Sequence, residues 1–124
     1  MRVLLDTHLA LWALGSPSRL SAATRRQIQA ADVFVSAASI WEISIKRGLG
    51  KLQADPREII AAIAPAGFAL LAVTGEHAAK IVELPLLHRD PFDRMLVAQA
   101  SIEPMILLTN DAALRGYGPF VEVV

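Results

Sequence analysis

Four acidic residues have the side chains and positions best suited to chemistry: Asp6, Glu42, Asp93 and Asp111. Asp6 and Asp111 follow short apolar runs, Asp93 opens a helical segment, and Glu42 lies inside one. Carboxylate oxygens suit hard cations such as Mg²⁺ or Mn²⁺. A cluster of four carboxylates repels itself unless a cation neutralises it. The pattern therefore predicts a divalent-metal site of the kind that hydrolyses phosphodiester bonds.

Three aspartates also have a simpler structural explanation as helix caps. Asp6, Asp90 and Asp111 each precede a helical segment, and aspartate is a favoured N-cap. Asp90 directly precedes Pro91, which favours capping as its role. Asp93 falls in the first turn of the same helix, where the helix dipole stabilises it, and that position is compatible with metal binding.

Glu42 is the acid that local structure explains least well. Its simplest role is an exposed ion pair with Lys46, four residues further along the helix, which contributes about 0.2–0.5 kcal/mol. The neighbouring Trp41 and Ile43 leave little of this helix free to face water. A partly buried carboxylate needs a cation or hydrogen-bond donors. Glu42 is therefore predicted to belong to the same site.

Short apolar strands alternate with helices along the chain, which predicts an α/β fold. We expect a three-layer arrangement, with a central parallel sheet of four to five strands flanked by helices. Sites in such sheets lie beyond the carboxyl ends of the strands, where Asp6 and Asp111 fall. The predicted strands cover residues 3–5, 33–35, 68–73, 105–108 and 121–123. The predicted helices cover residues 8–14, 21–30, 56–63, 76–84 and 90–102, with a further helix that Ser39 caps and Gly48 closes, and a short one after Asp111.

The composition indicates one domain over residues 1–124, with enough apolar material for a sizeable core. It is 54% hydrophobic, so a partner is expected to cover part of the apolar surface. The chain has no cysteine, and its longest uncharged stretch is too short to cross a membrane, so we expect a cytoplasmic protein. The formal net charge is zero, so RNA binding must depend on a local patch, a metal or a partner.

Four segments of the chain, in order, resemble PIN-domain ribonucleases, and specifically the VapC-type toxins of toxin–antitoxin pairs. The segments are LLDTHLALWAL at 4–14, SAASIWEISIKRGLGKL at 36–52, HRDPFDRMLVAQA at 88–100 and LLTND at 107–111. The resemblance implies the PIN fold and a metal-dependent endoribonuclease that hydrolyses RNA with a metal-activated water. Its cofactor would be Mg²⁺ or Mn²⁺.

The resemblance also assigns roles to individual residues. Asp6 and Asp93 would bind the metal directly, Glu42 would be the acid of the helix after the second strand, and Asp111 would be a fourth acid that sometimes acts through water. The hydroxyls of Thr7 and Thr109 would form hydrogen bonds to the metal-binding acids. Asp90 would belong to the same sequence motif as Asp93.

Basic residues lie near two of the acids in the sequence. They are either ordinary solvent-facing side chains or a phosphate-binding rim beside the metal. His8 and His88 are similarly either structural or in contact with substrate. The basic residues concerned are Lys46, Arg47, Lys51, Arg89 and Arg94, of which Lys46 and Arg94 are the named candidates for substrate contact.

The resemblance further implies three partners: an RNA substrate, a second copy in a homodimer, and a small VapB-like antitoxin lying across the active-site groove. Trp12, Trp41 and Leu49 either line that groove or belong to the core, and the core is the favoured assignment for each.

Three alternative functions remain open at this point. One is an inactive PIN-fold binding module. A second is a FEN-like DNA nuclease, for which the chain is short. The third is a Mg²⁺-binding phospho-receiver domain, which needs an acidic pair after the first strand and a late lysine. Here Thr7 follows Asp6, and no lysine follows Lys80.

Overall fold

The computed structural model describes residues 1–124 and contains one sheet of five parallel strands. The strands are β1 (Arg2–Leu5), β2 (Asp32–Ser36), β3 (Ala69–Leu71), β4 (Ile106–Thr109) and β5 (Val121–Val123). They lie in the order β3-β2-β1-β4-β5, so β1 is the central strand. The predicted fold class is confirmed, with five strands in the sheet. The predicted edge strand at residues 121–123 is confirmed as β5.

Six α-helices surround the sheet. They are α1 (Thr7–Gly15), α2 (Ala22–Gln29), α3 (Ala37–Gly48), α4 (Pro56–Ile63), α5 (Gly75–Lys80) and α6 (Pro91–Ile102), and short 3₁₀ helices cover Pro17–Arg19, Ile81–Glu83 and Ala112–Tyr117. No helix combines the length and the hydrophobicity needed to span a bilayer.

Two apolar cores lie on opposite faces of the sheet, and the central strand contributes to both. Val3 and Leu5 of β1 pack in one core, with residues from α1, α2 and α4. Leu4 packs in the other core, mainly against α6. Successive side chains of a strand point to opposite faces, so a strand covered on both sides must be apolar throughout. This explains the uninterrupted apolar run before Asp6.

Helix α3 begins earlier than the sequence predicted. Ser36, and not Ser39, is its N-cap: the Ser36 hydroxyl accepts a hydrogen bond from the amide of Ala38 at 3.0 Å. Ser39 lies within the first turn, fully buried, with its hydroxyl 2.9 Å from that of Thr7. Both serines fit the capping preference, and the tertiary position of the strand end selects the earlier one.

Two other predicted elements are shorter in the structure. The strand predicted at 68–73 is reduced to β3, at the edge of the sheet. The helix predicted at 76–84 ends as α5 at Lys80 and continues as the 3₁₀ helix Ile81–Glu83. Pro85 explains why the 3₁₀ helix stops at Glu83, since the residue before a proline is disfavoured in helical conformation and Leu84 is extended.

Trp41 and Leu49 are exposed, at 63% and 64%, so the core assignment favoured for them is wrong. Both lie on or just beyond α3, whose inner face is occupied by smaller or branched side chains such as Ile43. Trp12 is partly buried and packs against the core on the side of α1, as that assignment requires.

A chain of buried polar side chains connects the elements behind the carboxyl end of the sheet. The Ser36 hydroxyl donates to Gln99 Oε1 at 2.5 Å. The Gln99 amide donates to the carbonyl of Ala72 and to His77 Nδ1, both at 3.3 Å. The imidazole of His77 in turn lies 2.6 Å from Glu103. The chain therefore joins the start of α3 to α5 and α6, and no buried polar side-chain atom is left unpaired.

Ser36→Ala is expected to lower the free energy of unfolding by about 1–3 kcal/mol, since it removes an N-cap and leaves Gln99 Oε1 without its partner. Urea denaturation monitored by circular dichroism measures the change. Ser44→Ala, on the exposed face of the same helix, is the matched control and should have little effect. Equal stability of the two variants would contradict this account.

Candidate active site

The acids singled out in the sequence converge on one rim of the sheet. Asp6 directly follows β1, and Asp111 lies two residues beyond β4. Glu42 is in α3 and Asp93 in the first turn of α6. The Thr7 hydroxyl, next to Asp6, donates to Glu42 at 2.7 Å. The Thr109 hydroxyl donates to Asp6 and accepts from the amide of Asp111. Ligand atoms of Asp93 and Asp111 lie within 4.8 Å of each other, so these contacts bring the acids to one place.

Asp6 is both a helix cap and a member of the cluster. Its Oδ1 accepts a hydrogen bond from the amide of Leu9 at 2.8 Å, which caps α1. Its Oδ2 accepts from the Thr109 hydroxyl at 2.6 Å and from the amide of Asn110 at 3.4 Å. Burial raises the pKa of Asp6, and these hydrogen bonds together with nearby His8 oppose that rise. The two roles considered for Asp6 are therefore compatible.

Glu42 is buried, at 4% exposure, and each of its oxygens has a partner. Oε1 accepts from the Thr7 hydroxyl at 2.7 Å, and Oε2 accepts from Lys46 Nζ at 2.6 Å. The hydrogen bond to Glu42 raises the pKa of Lys46. The ion pair with Lys46 thus exists, but it is a partly buried pair at the rim and not an exposed one.

Asp90 is the helix cap that the sequence predicted, and Asp93 lies in the first turn of the same helix. Asp90 Oδ1 accepts from the amides of Phe92 at 2.8 Å and Asp93 at 3.2 Å, so Asp90 is the N-cap of α6. Burial and then the charge of Asp90 raise the pKa of Asp93 to about 7, and His88 opposes the shift. A cation bound beside Asp93 would oppose both effects and favour its charged form.

His88 is the member of the site that sequence reasoning left undecided. Its Nδ1 accepts from the amide of Asp90 at 3.0 Å, so the proton of the neutral ring is on Nε2. Nε2 lies 3.0 Å from Asp111 Oδ2 and 3.6 Å from Asp93 Oδ2. The sequence feature that could have assigned His88 to the site is its position two residues before Asp90, the N-cap of α6. From there its ring reaches back to the amide of Asp90 at the start of the helix.

Two threonines lie where the sequence placed them, next to the acids: Thr7 at the start of α1 and Thr109 at the end of β4. Both are buried. Thr109 also accepts a hydrogen bond from the amide of Asp111 at 3.0 Å, so one hydroxyl connects Asp6 to the Asp111 backbone. Asp111 Oδ1 caps the following 3₁₀ helix through the amide of Ala113 at 2.9 Å.

Arg94 does not extend toward the acidic rim. Its guanidinium donates to the carbonyls of Ile81 at 3.0 Å and Pro85 at 3.2 Å, and lies 3.4 Å from the Tyr117 hydroxyl. These contacts hold the segment before α6 in place, and they leave the predicted substrate contact by Arg94 without support. Lys46 is likewise engaged, by Glu42, and Arg47 donates to the carbonyl of Gln53 at 2.7 Å.

The geometry of the rim fits a divalent cation. Ligand atoms of His88, Asp93 and Asp111 lie within 4.8 Å of one another. The raised pKa of Asp93 reflects carboxylates that a cation would stabilise. Since Nε2 of His88 carries a proton and faces Asp111, the carboxylates are the better ligands and His88 is better suited to orient one of them.

Comparison with known proteins identifies a matching family and a related ribonuclease, and the two findings agree with each other. The family model described as PIN domain matches residues 3–118 of this chain. Ribonuclease VapC22 of Mycobacterium tuberculosis is 33% identical over 123 residues, which cover 93% of this chain and 91% of that protein.

Solved structures of similar fold come from complexes. VapBC2 from Rickettsia felis, bound to a DNA fragment from their promoter, contains a chain with a TM-score of 0.70 and 14% identity, covering 100% of this chain and 98% of that one. A toxin–antitoxin complex from Klebsiella pneumoniae gives a TM-score of 0.65 at 16% identity, with 98% and 96% covered. DNA-bound VapBC from Salmonella typhimurium gives 0.64 at 16%, with 100% and 97% covered. At such identities the likeness shows the shared fold.

Asp93→Asn is expected to stabilise the metal-free protein at alkaline pH. Because the pKa of Asp93 is about 7 in the folded protein, against an ordinary value of 3.8, the native state holds this proton more tightly than the unfolded chain does. The contribution of this group to stability therefore falls as the pH rises from about 4 to about 7, and asparagine removes that loss.

Urea denaturation in EDTA should show the Asp93→Asn variant more stable than wild type at pH 8, by on the order of 1–3 kcal/mol, and similar to it near pH 4. Asp32→Asn, at an exposed position that starts β2, is the control and should shift neither value. A variant that loses stability equally at both pH values would refute the account of Asp93.

Proposed function

Because this chain belongs to the PIN domain family, we propose that it is a metal-dependent endoribonuclease and the toxin component of a toxin–antitoxin pair. The match over residues 3–118 confirms the resemblance drawn from the four sequence segments. The relative from Mycobacterium tuberculosis is a ribonuclease, and the similar folds come from VapBC and toxin–antitoxin complexes. The observation that carries the proposal is the convergence of the carboxylates around Asp93 at the end of the parallel sheet.

The proposed metal ligands are Asp6 and Asp93, as the resemblance implied, with Glu42 and Asp111 completing the acidic set. Ligand atoms of Asp93 and Asp111 lie within 4.8 Å of each other, which supports a place for Asp111 beside the metal. Oxygen ligands of this kind suit Mg²⁺ or Mn²⁺, in agreement with the cofactor expected from the sequence. When bound, the cation supplies an activated water and offsets the charge that develops on the phosphate. Membership of the PIN domain family argues against the phospho-receiver alternative. The RNA-cleavage assay described below distinguishes an active nuclease from an inactive binding module.

The residues around the acids fix their positions and limit their repulsion. Asp6 caps α1 and Asp90 caps α6, so the positive ends of two helix dipoles are directed at the rim. Thr7 and Lys46 hold the Glu42 carboxylate at both oxygens. We assign Lys46 this positioning role in place of the substrate contact predicted from the sequence.

The proposed partners are RNA as substrate, a small VapB-like antitoxin and a second copy of the chain. Support for the protein partners comes from exposed apolar side chains. Trp41, Leu49, Val82 and Leu86 are exposed by 63%, 64%, 88% and 75%. Burying these side chains against a partner would contribute favourable free energy. Which of them meets the antitoxin and which meets the second copy is a matter for the structure of the complex.

The purified protein, freed of antitoxin, is expected to cleave RNA with Mg²⁺ or Mn²⁺ and to be inactive in EDTA. Asp6→Asn and Asp93→Asn should each lower the rate by at least about 100-fold, since each removes a charge needed for the metal. Gel analysis of end-labelled RNA gives the rates, and circular dichroism checks the fold. Asp32→Asn is the control and should keep wild-type activity. Cleavage in EDTA, or an active Asp93→Asn variant, would refute the mechanism.

His88→Ala is expected to weaken Mn²⁺ binding by about 10-fold, because Asp111 loses the side chain that orients it. Isothermal titration of the metal-free protein with Mn²⁺ measures the affinity without reference to activity. Tighter binding in the variant would instead mean that the imidazole competes with the metal for Asp111.

A further inference from the structure

A long groove runs along α1, away from the acidic rim. It has a volume of about 630 Å³ and lies between α1 with the 3₁₀ helix Pro17–Arg19 and the segment that follows α3. His8 lines the groove and lies in the first turn of α1, the helix that Asp6 caps, so one end of the groove lies beside Asp6. The groove therefore continues the proposed active site and is not a separate cavity.

The charged side chains that line this groove are all basic. Its lining includes Arg19, Lys51 and His8 but no aspartate or glutamate. In a chain whose formal net charge is zero, such a lining is a local basic surface. Surfaces of this kind attract polyanions, because binding a phosphate to a cation releases condensed counterions.

The two cations of the groove, Arg19 and Lys51, are free to bind phosphate, and Lys51 is one of the basic residues expected from the sequence to form a phosphate-binding rim. Arg19 and Lys51 are exposed and take part in none of the salt bridges of the protein. Lys46, Arg47 and Arg94 are instead held by Glu42 or by backbone carbonyls. Arg19 and Lys51 are therefore available for phosphate, as is Arg89, which is exposed outside the groove and forms no salt bridge.

Trp12 gives the groove an aromatic face. The guanidinium of Arg19 lies 5.2 Å from the centre of the Trp12 ring, within the range of a cation–π contact. The centre of the His8 ring lies 6.4 Å from that of Trp12. A cation held over an aromatic ring loses less freedom on binding than a mobile one. Aromatic faces next to cations are what unpaired nucleic-acid strands use for stacking and phosphate contact.

We propose that this groove binds the single-stranded RNA flanking the cleaved phosphate, with Arg19 and Lys51 contacting backbone phosphates and the Trp12 ring holding Arg19 in position. The inference rests on the proposed function. The charge favours RNA over a protein segment as occupant. By contrast, the pocket around Trp41, Phe92 and Met95 is almost wholly apolar and suits a protein side chain.

RNA binding without cleavage tests the proposal directly. Fluorescence anisotropy with a labelled single-stranded RNA is measured in the Asp93→Asn background, with and without the further changes Arg19→Ala and Lys51→Ala, over a range of salt concentrations. Loss of two phosphate contacts should lower the slope of log affinity against log salt by about 1.4, at about 0.7 per phosphate. Affinity at low salt should fall at least 10-fold.

Matched variants control for charge and folding. Arg25→Ala with Arg26→Ala removes the same charge from the exposed face of α2 and should leave the slope unchanged. Arg19→Lys keeps the charge and should retain the slope. Urea denaturation confirms that all variants fold. In chains that retain Asp93, the groove double variant should raise KM at least 10-fold and leave kcat within twofold.

The outcomes separate this inference from the proposed function. An unchanged slope and affinity in the groove double variant overturns the inference, even if the wild type cleaves RNA, and would point to the antitoxin as occupant. An equal loss in the Arg25 and Arg26 control overturns it as well, because binding would then follow net charge. RNA binding that needs the groove but is followed by no metal-dependent cleavage in the wild type would refute the nuclease function alone.

Discussion

Mutual repulsion among carboxylates held at one rim of a sheet is the constraint on which the rest of this structure depends. The fold meets it with local partners. Lys46 pairs with Glu42, His88 faces Asp111, and two helix N-termini point at the cluster. These contacts do not compensate Asp93, whose pKa rises to about 7. The residual charge is what makes the rim suited to a divalent cation.

The features set by local sequence were predictable. A strand covered on both faces must be apolar, so the run before Asp6 identified the central strand. A proline after Asp90 fixed the start of α6, and with it the cap and the first-turn position of Asp93. Because parallel strands end at the same rim, the acids after β1 and β4 were expected to lie close together, and the Thr109 hydroxyl connects the Asp6 carboxylate to the amide of Asp111.

The features set by contacts distant in sequence were not predictable. Ser39 could cap a helix as well as Ser36 can. What distinguishes Ser36 is its hydrogen bond to Gln99, which is distant in the sequence. Trp41 is as apolar as a core residue, yet it faces outward. Arg94 is next to an acid in the sequence but binds carbonyls from another segment. In each case the deciding partner lies far along the chain, where spacing and propensity carry no information.

The buried contact between Ser36 and Gln99 has an evolutionary consequence. Each side chain satisfies the other in a place that water does not reach, so replacing one alone leaves a polar atom stranded. Substitutions at the two positions are therefore coupled. Replacing this polar pair by an apolar pair requires two substitutions, and the protein with only the first of them is less stable. Because the pair joins the helices carrying Glu42 and Asp93, this barrier to drift also keeps the spacing of the rim constant while the surrounding surface diversifies.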